Sequence, residues 1–366
     1  MPQWHGEGFF LLGDMFPRIQ PHPLIRGGHA QTLAGVFLPG RLAAYRAVKH
    51  TVSLDDGDAL VLHDDRPDGW QTGDPVVLLM HGLAGCHLSP YMIRLAAKLN
   101  DVGVRAFRMD HRGCGAGHGL ARLPYNAGRS DDALAAIRRI IDLCPGSKLG
   151  LVGYSLSGNL MLKMLGERPE LIPPEVACTA AINPPIDLSA CMQGLLRPAN
   201  RIYDLRFVRL LDRNLKARKK RMPEMPMAGY LGPSRRLLDL DDAYTAPVSG
   251  YEGAEHYYAR CSSAQFVADI RTSTLILTAR DDPLISVDSF ERLTLPPAVK
   301  LHIAESGGHL GYVARGGQDA DRQWMDWRIL DWLTSHWGES AAQSHATHRA
   351  SSEQSPASSS NVAMGG

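Results

Sequence analysis

Cysteine is scarce and scattered, with six residues in 366 (Cys86, Cys114, Cys144, Cys178, Cys191 and Cys261), no C-x-x-C pair and no metal-ligand spacing. That excludes a disulfide-stapled scaffold and a zinc framework, and it fits reduced thiols in small core or turn positions of a cytoplasmic protein. No apolar run approaches the roughly 20 residues needed to cross a bilayer. The opening residues, Met-Pro-Gln-Trp-His-Gly-Glu-Gly, offer neither a basic stretch nor an apolar core, so no secretory signal is expected there. Excess charge is missing too. With 39 Lys and Arg against 38 Asp and Glu the net charge is +1, and nothing in the balance draws the chain to nucleic acid or to an acidic partner. The Gly-rich stretch Asp110 to Gly119 fits neither G-x-G-x-x-G nor a Walker pattern and reads as a structural loop bordering a site. No metal or organic cofactor is expected.

What is present is an ordinary globular composition, 44% hydrophobic and 21% charged, long enough for one α/β core with an insertion. Residues 1–48 are rich in Pro and Gly without sustained periodicity, and read as an arm packed on the core. Residues 49–338 form the main domain. Lys49 to Leu54 and Ala59 to His63 flank the Asp-Gly turn of a hairpin. From Pro75, apolar strands alternate with amphipathic helices: Val76 to Met80, Tyr91 to Leu99, Val104 to Met109, Asp131 to Leu143, Leu149 to Gly153 with its following helix, and Val176 to Ile182. Alternation resumes with Thr274 to Thr278, a helix through Ser289 to Leu295, Lys300 to Ala304 and a last helix from Trp324 to Trp337. The pattern predicts a mostly parallel central sheet with helices on both faces. Residues 183–261 interrupt it and read as a helical cap over the carboxyl edge of the sheet. The basic run Arg197 to Arg221 within them reads as a solvated helical face, although on a cap it would also favour contact with an anionic membrane surface. Residues 339–366 hold almost no large apolar side chains and are expected to be disordered.

Chemistry is concentrated in Gly153-Tyr154-Ser155-Leu156-Ser157-Gly158, a stretch between an apolar strand and a helix that reads as a G-x-S-x-G-type elbow, with Ser157 at the fifth position and the second glycine, Gly158, one residue further on. Such a turn projects a serine hydroxyl upward and leaves no room for side chains at its two glycines. A serine needs a base, and the base needs an orienting carboxylate. Downstream, one strand ends in Ala279-Arg280-Asp281-Asp282-Pro283 and another in Glu305-Ser306-Gly307-Gly308-His309. Both loops fall at the carboxyl ends of parallel strands, where such sheets place their sites. Asp282 is assigned as the acid, with Asp281 as the alternative, and His309 as the base. Oxyanion donors are expected at the backbone N–H groups of Leu156 and of Leu83, the latter in His81-Gly82-Leu83-Ala84-Gly85. His81, Cys86 and His87 read as packing or structural residues.

The chain resembles the YheT-like branch of the α/β-hydrolases, related to abhydrolase-domain esterases and lipases. The resemblance rests on His29-Ala30-Gln31-Thr32, His81 to Gly85 with Ser89-Pro90-Tyr91, the Asp110 to Gly115 loop, Gly153 to Gly158, Asn183-Pro184-Pro185, and the run from Thr245 to Asp281-Asp282-Pro283 with Gly308-His309. It implies an α/β-hydrolase fold and a Ser-Asp-His esterase, carrying the triad onto Ser155, Asp282 and His309. Cys86-His87 stands where small hydroxyl residues are usual, which bears on pocket shape. The expected function is a serine carboxylic-ester hydrolase acting on a small-molecule ester with an apolar acyl group. An acyltransferase on the same triad and a non-catalytic binding protein on a hydrolase scaffold are the alternatives.

Overall fold

Adjacent residues of the central strands feed two different cores. In β3 (Val76–Met80), Val76, Leu78 and Met80 join one apolar cluster, while Val77 and Leu79 join another on the opposite face. A strand covered on both sides has no polar face to present, which is why its sequence is unbroken Val, Leu and Met. The computed structural model describes residues 15–38, 46–230 and 232–337. The parts of the arm at 1–14 and 39–45, and the tail at 339–366, lie outside the described residues.

Among the described residues, eight strands form one sheet in the order β1-β2-β4-β3-β5-β6-β7-β8. β1 (Val48–Ser53) and β2 (Ala59–Asp65) pair antiparallel, and β2 pairs antiparallel with β4 (Arg105–Asp110). All other neighbours are parallel: β3 with β4 and with β5 (Leu149–Tyr154), then β6 (Val176–Ile182), β7 (Thr274–Ala279) and β8 (Val299–Ala304). Helices cover both faces, as expected from the alternation. After α1 (Gly28–Phe37), helix α2 (Pro90–Asp101) packs Met92, Leu95 and Leu99 on one side with the closing helix Trp324–Thr334. α3 (Ser130–Leu143) and α4 (Leu156–Glu167) pack on the other. The fold is that of an α/β-hydrolase.

Two local readings change. Gly28–Phe37 is helical, although its mixed composition gives no apolar stripe; Gln31 and Thr32 are buried there through hydrogen bonds to other parts of the chain. The helix expected through Ser289 to Leu295 spans only Asp288–Glu291. Pro296 and Pro297 follow closely and have no N–H to donate back to the carbonyls a longer helix would leave open. Between β6 and β7 the chain is helical, with α5 (Leu188–Leu196), α6 (Arg201–Arg221), a run of short turns from Leu237 to Val248, and Ala254–Cys261. Its apolar side chains join the same cluster as α3 and α4.

Candidate active site

β5 ends at Tyr154 and α4 begins at Leu156, so a single residue makes the reversal. Ser155 takes it with φ 51° and ψ −119°, a conformation costing a non-glycine residue about 1–3 kcal/mol. The turn is tight enough that a Cβ on Gly153 would fall 2.6 Å from the Ser157 carbonyl oxygen, and one on Gly158 would fall 3.1 Å from the Gly153 carbonyl oxygen. The Ser155 N–H donates to Ile182 O at 2.8 Å, which ties the strained residue to the end of β6.

His309 lies between Ser155 and Asp282. Its Nδ1 is 2.9 Å from Asp282 Oδ2 and its Nε2 is 2.9 Å from Ser155 Oγ. An ionised carboxylate only accepts, so the ring proton sits on Nδ1, and Nε2 is left to accept the serine O–H. Asp282 is fixed on its other oxygen by the N–H groups of Leu284 (2.8 Å) and Ile285 (3.2 Å). Asp281 points elsewhere: Oδ1 accepts the N–H groups of Gly307 and Gly308 at 2.8 Å each, and Oδ2 accepts the Ser306 hydroxyl at 3.0 Å. One carboxylate thus pins the loop that carries His309, and its neighbour meets the imidazole.

Two contributors were not assigned from the sequence. Asn183, with φ 44°, donates from Nδ2 to Asp282 Oδ2 at 2.8 Å and to Gly308 O at 3.2 Å, while its Oδ1 accepts from the Tyr312 hydroxyl. Thr32 on α1 accepts the His309 N–H. Asn-Pro-Pro directly after a buried strand was the available signal for the first; the second had none beyond its place in a Gly-His-Ala-Gln-Thr string.

Leu83, Ser155 and Leu156 line the same cavity. The Leu156 N–H opens α4 and has no partner within the helix, at the end where the helix dipole is positive. Beside Leu83, the Gly82 N–H is taken by the Tyr91 hydroxyl at 3.1 Å and the Ala84 N–H by the Tyr125 hydroxyl at 2.7 Å. Ala84 is left-handed, with φ 59°, which bends this loop around the serine.

Beneath the loop lies a histidine-rich layer. Ser157 donates to the His81 carbonyl, so His111 must donate from Nε2 to Ser157 Oγ at 2.7 Å. Burial holds His81 and His111 below the ordinary imidazole value and keeps both neutral. Asp110 Oδ2 accepts from His63 Nε2 at 2.9 Å and from His87 Nδ1 at 2.7 Å, and the two rings stack 3.5 Å apart. These three side chains bring potential ligand atoms within 4.8 Å of one another. The same carboxylate also takes the N–H groups of His87 and Ala116 at 2.7 Å, so its oxygens are engaged in shaping the 110–119 loop.

Two spaces meet at Ser155 and His309. An inner cavity of about 120 Å³ runs among mainly buried side chains, including Met192, Leu195, Leu215, Tyr244 and Tyr257. An outer groove of about 580 Å³ opens between α1 and the first half of α6, past Val36, Phe37, Ile202 and Arg206. Leu83, Phe207 and Leu284 border both.

Strand order, elbow and covered sheet define an α/β-hydrolase. Residues 75–315 match the alpha/beta hydrolase fold family, and the chain belongs to it. It is similar to YheT, a candidate esterase of Escherichia coli (strain K12), at 29% identity over 80% of this chain and 87% of the relative. It is also similar to a monoacylglycerol lipase of Saccharomyces cerevisiae, at 26% identity over 65% of this chain and 55% of the relative. A third relative is Phospholipase ABHD3 of Mus musculus, at 24% identity over 65% and 58%. Among solved structures, a 2,6-dihydroxy-pseudo-oxynicotine hydrolase shares the fold at TM-score 0.52 and 18% identity, covering 84% of this chain and 72% of that one. A Pyrococcus furiosus esterase does so at TM-score 0.50 and 15% identity, covering 88% and 100%. Among the described residues no helix is long and apolar enough to cross a membrane.

Proposed function

We propose that the protein hydrolyses carboxylic esters through an acyl-serine intermediate. Ser155 Oγ attacks the acyl carbonyl while His309 Nε2 takes its proton, and Asp282 holds the imidazole and offsets the charge it acquires. The N–H groups of Leu83 and Leu156 receive the oxyanion. The tetrahedral intermediate expels the alcohol, whose oxygen takes the proton from His309. Water then attacks the acyl carbon, again giving a proton to His309, and the acid leaves as Ser155 recovers its hydrogen. No metal or organic cofactor takes part.

The observation that carries this reading is the imidazole of His309 joined to Ser155 on one nitrogen and to Asp282 on the other, each at 2.9 Å. The esterase and lipase names among the relatives support an ester as the bond cleaved. The inner cavity suits an apolar acyl group, and the wider outer groove suits the alcohol. Six unpaired cysteines accord with a reducing, cytoplasmic setting, which fractionation would check. The test of mechanism is labelling by a fluorophosphonate. The wild type should be modified at Ser155 and Ser155→Ala should not; a folded wild type that resists the reagent and leaves short-chain esters intact overturns the proposal.

A further inference from the structure

The acyl-side cavity contains a charge that the ester chemistry does not use. Along α6, Phe207, Leu211, Asn214, Leu215 and Arg218 share one face and line the inner cavity. Phe207 also borders the outer groove, and Arg218 lies about 16 Å further along the helix at its 1.5 Å rise per residue. The neighbouring basic residues Arg206, Arg209, Arg213 and Lys216 are exposed, as a solvated helical face requires, whereas Arg218 is 3% exposed.

Its guanidinium has only neutral partners among the described residues. Nη2 donates to the carbonyls of Ala121 (3.2 Å) and Arg122 (3.1 Å), and Nη1 reaches the Tyr244 hydroxyl at 3.5 Å. Nε is buried with no hydrogen-bond partner. The surrounding loop is shaped to admit this group: a Cβ at Gly113, where φ is +64°, would fall 2.4 Å from Nε. A buried cation without a counter-charge is costly, and an anionic ligand arriving through the cavity removes that cost. One carboxyl shares the wall. Asp241 accepts the Tyr258 hydroxyl at 2.8 Å and is pushed up to about 6 by burial, so it opposes an incoming anion less than an ordinary aspartate would.

Resting on the acyl-serine reading, we infer that the inner cavity selects acyl groups ending in a carboxylate, with Arg218 and Tyr244 as the receptor for that end and the apolar α6 face as the channel for the methylenes. The substrate class is then the monoesters of medium-length dicarboxylic acids. Arginine suits this role because its planar fork matches a carboxylate, donating two parallel N–H bonds to it.

The experiment compares kcat/KM for p-nitrophenyl monoesters of suberic and dodecanedioic acid with that for p-nitrophenyl octanoate and dodecanoate. The wild type is expected to favour at least one carboxyl-ended ester by about tenfold or more, the scale of a charge-assisted hydrogen bond. In Arg218→Met the ratio should fall to near one, and Arg218→Lys should restore part of it. Because Arg218 also ties down the 121–122 loop, a second measurement uses the wild type alone: free suberate should protect Ser155 from a fluorophosphonate at lower concentration than octanoate. Equal handling of both ester series, or a preference that survives Arg218→Met, overturns the inference. Cleavage of alkanoyl esters with labelled Ser155 but no carboxyl preference sinks only this inference; failure of both ester series with unlabelled Ser155 sinks the acyl-serine reading beneath it.

Discussion

The Thr32 hydroxyl accepts the backbone N–H of His309 at 2.9 Å and donates its own proton to the Gly28 carbonyl one turn back in α1, at 2.7 Å. Next to it, Gln31 clamps Val313 from both sides: its Oε1 accepts the Val313 N–H at 2.7 Å and its Nε2 donates to the Val313 carbonyl at 3.1 Å. Helix α1 therefore braces the loop after β8, at nearly 280 residues' separation in sequence. Gly311 lies so close to Gln31 that a Cβ there would meet its carbonyl oxygen at 2.2 Å.

Thr32→Val removes the acceptor for His309 while keeping the shape of the side chain. A lost hydrogen bond of this kind costs about 1 kcal/mol, so kcat/KM for a short-chain ester should fall about fivefold. Since His309 keeps its side-chain partners, the slow step should weaken more than substrate binding, and KM should change little. Steady-state kinetics decide it; unchanged kcat would mean that α1 braces the loop without positioning the imidazole.

Asp281 and Asp282 should separate cleanly on substitution. Asp282→Asn keeps the side-chain volume but, with the other oxygen held by Leu284 and Ile285, puts an amide NH2 where Oδ2 accepts from His309 Nδ1 and Asn183 Nδ2, so its main effect should be to lower kcat by about 10⁴ at neutral pH. Asp281→Asn should do the reverse. It weakens the anchor of Ser306, Gly307 and Gly308, with a loss of stability on the order of 1–3 kcal/mol and a much smaller effect on turnover. Paired measurements of kcat and urea midpoint on both variants check the assignment, and equal kinetic damage from the two would contradict it.

Much of this arrangement could be read from residues because it depends on local pattern. β3 and β6 begin and end where their apolar runs do, and the elbow glycines follow from contacts within a few residues of Ser155. The choice of Asp282 over Asp281 depended on which way a loop turns, and that is set by Leu284 and Ile285 closing back onto the carboxylate. What was not legible is what reaches across the chain. α1 has no apolar stripe because the partners of its buried face are hydrogen bonds to residues near 309–313, and periodicity does not register those. Arg218 is hidden for a related reason: in a basic helix nothing local marks the one guanidinium that turns inward.

Tyr125 offers a way to perturb the oxyanion loop without touching the serine. Its hydroxyl accepts the Ala84 N–H at 2.7 Å, one residue from the Leu83 N–H. Tyr125→Phe leaves that N–H without its acceptor in a part-buried site and frees the left-handed Ala84 turn to relax. If Leu83 donates to the oxyanion, kcat should fall about tenfold with KM nearly constant, since the bond forms mainly in the transition state. A change confined to KM would instead place the loop in substrate binding.

Acidification should destabilise the fold well above the carboxylate range. His63, His81, His111 and His118 are all held below the ordinary imidazole value, with burial the leading cause in each. When unfolded they take up protons near pH 6.5, while the folded forms refuse them until lower pH. The unfolded state then binds more protons, so stability is full above about pH 6.5 and declines as pH falls toward the folded values. Asp241, raised to about 6, and Asp132, also raised by burial, act in the opposite sense, because the folded chain holds their protons more tightly than the unfolded chain does. Four imidazoles against two carboxyls leave the balance with the histidines, and the thermal midpoint should be lower at about pH 5.5 than at about pH 7.5. His111→Gln keeps a donor toward Ser157 but removes one protonation site, so it should flatten that dependence. A midpoint that is constant or rises on acidification would show that the buried imidazoles accept protons without opening the layer beneath Ser155.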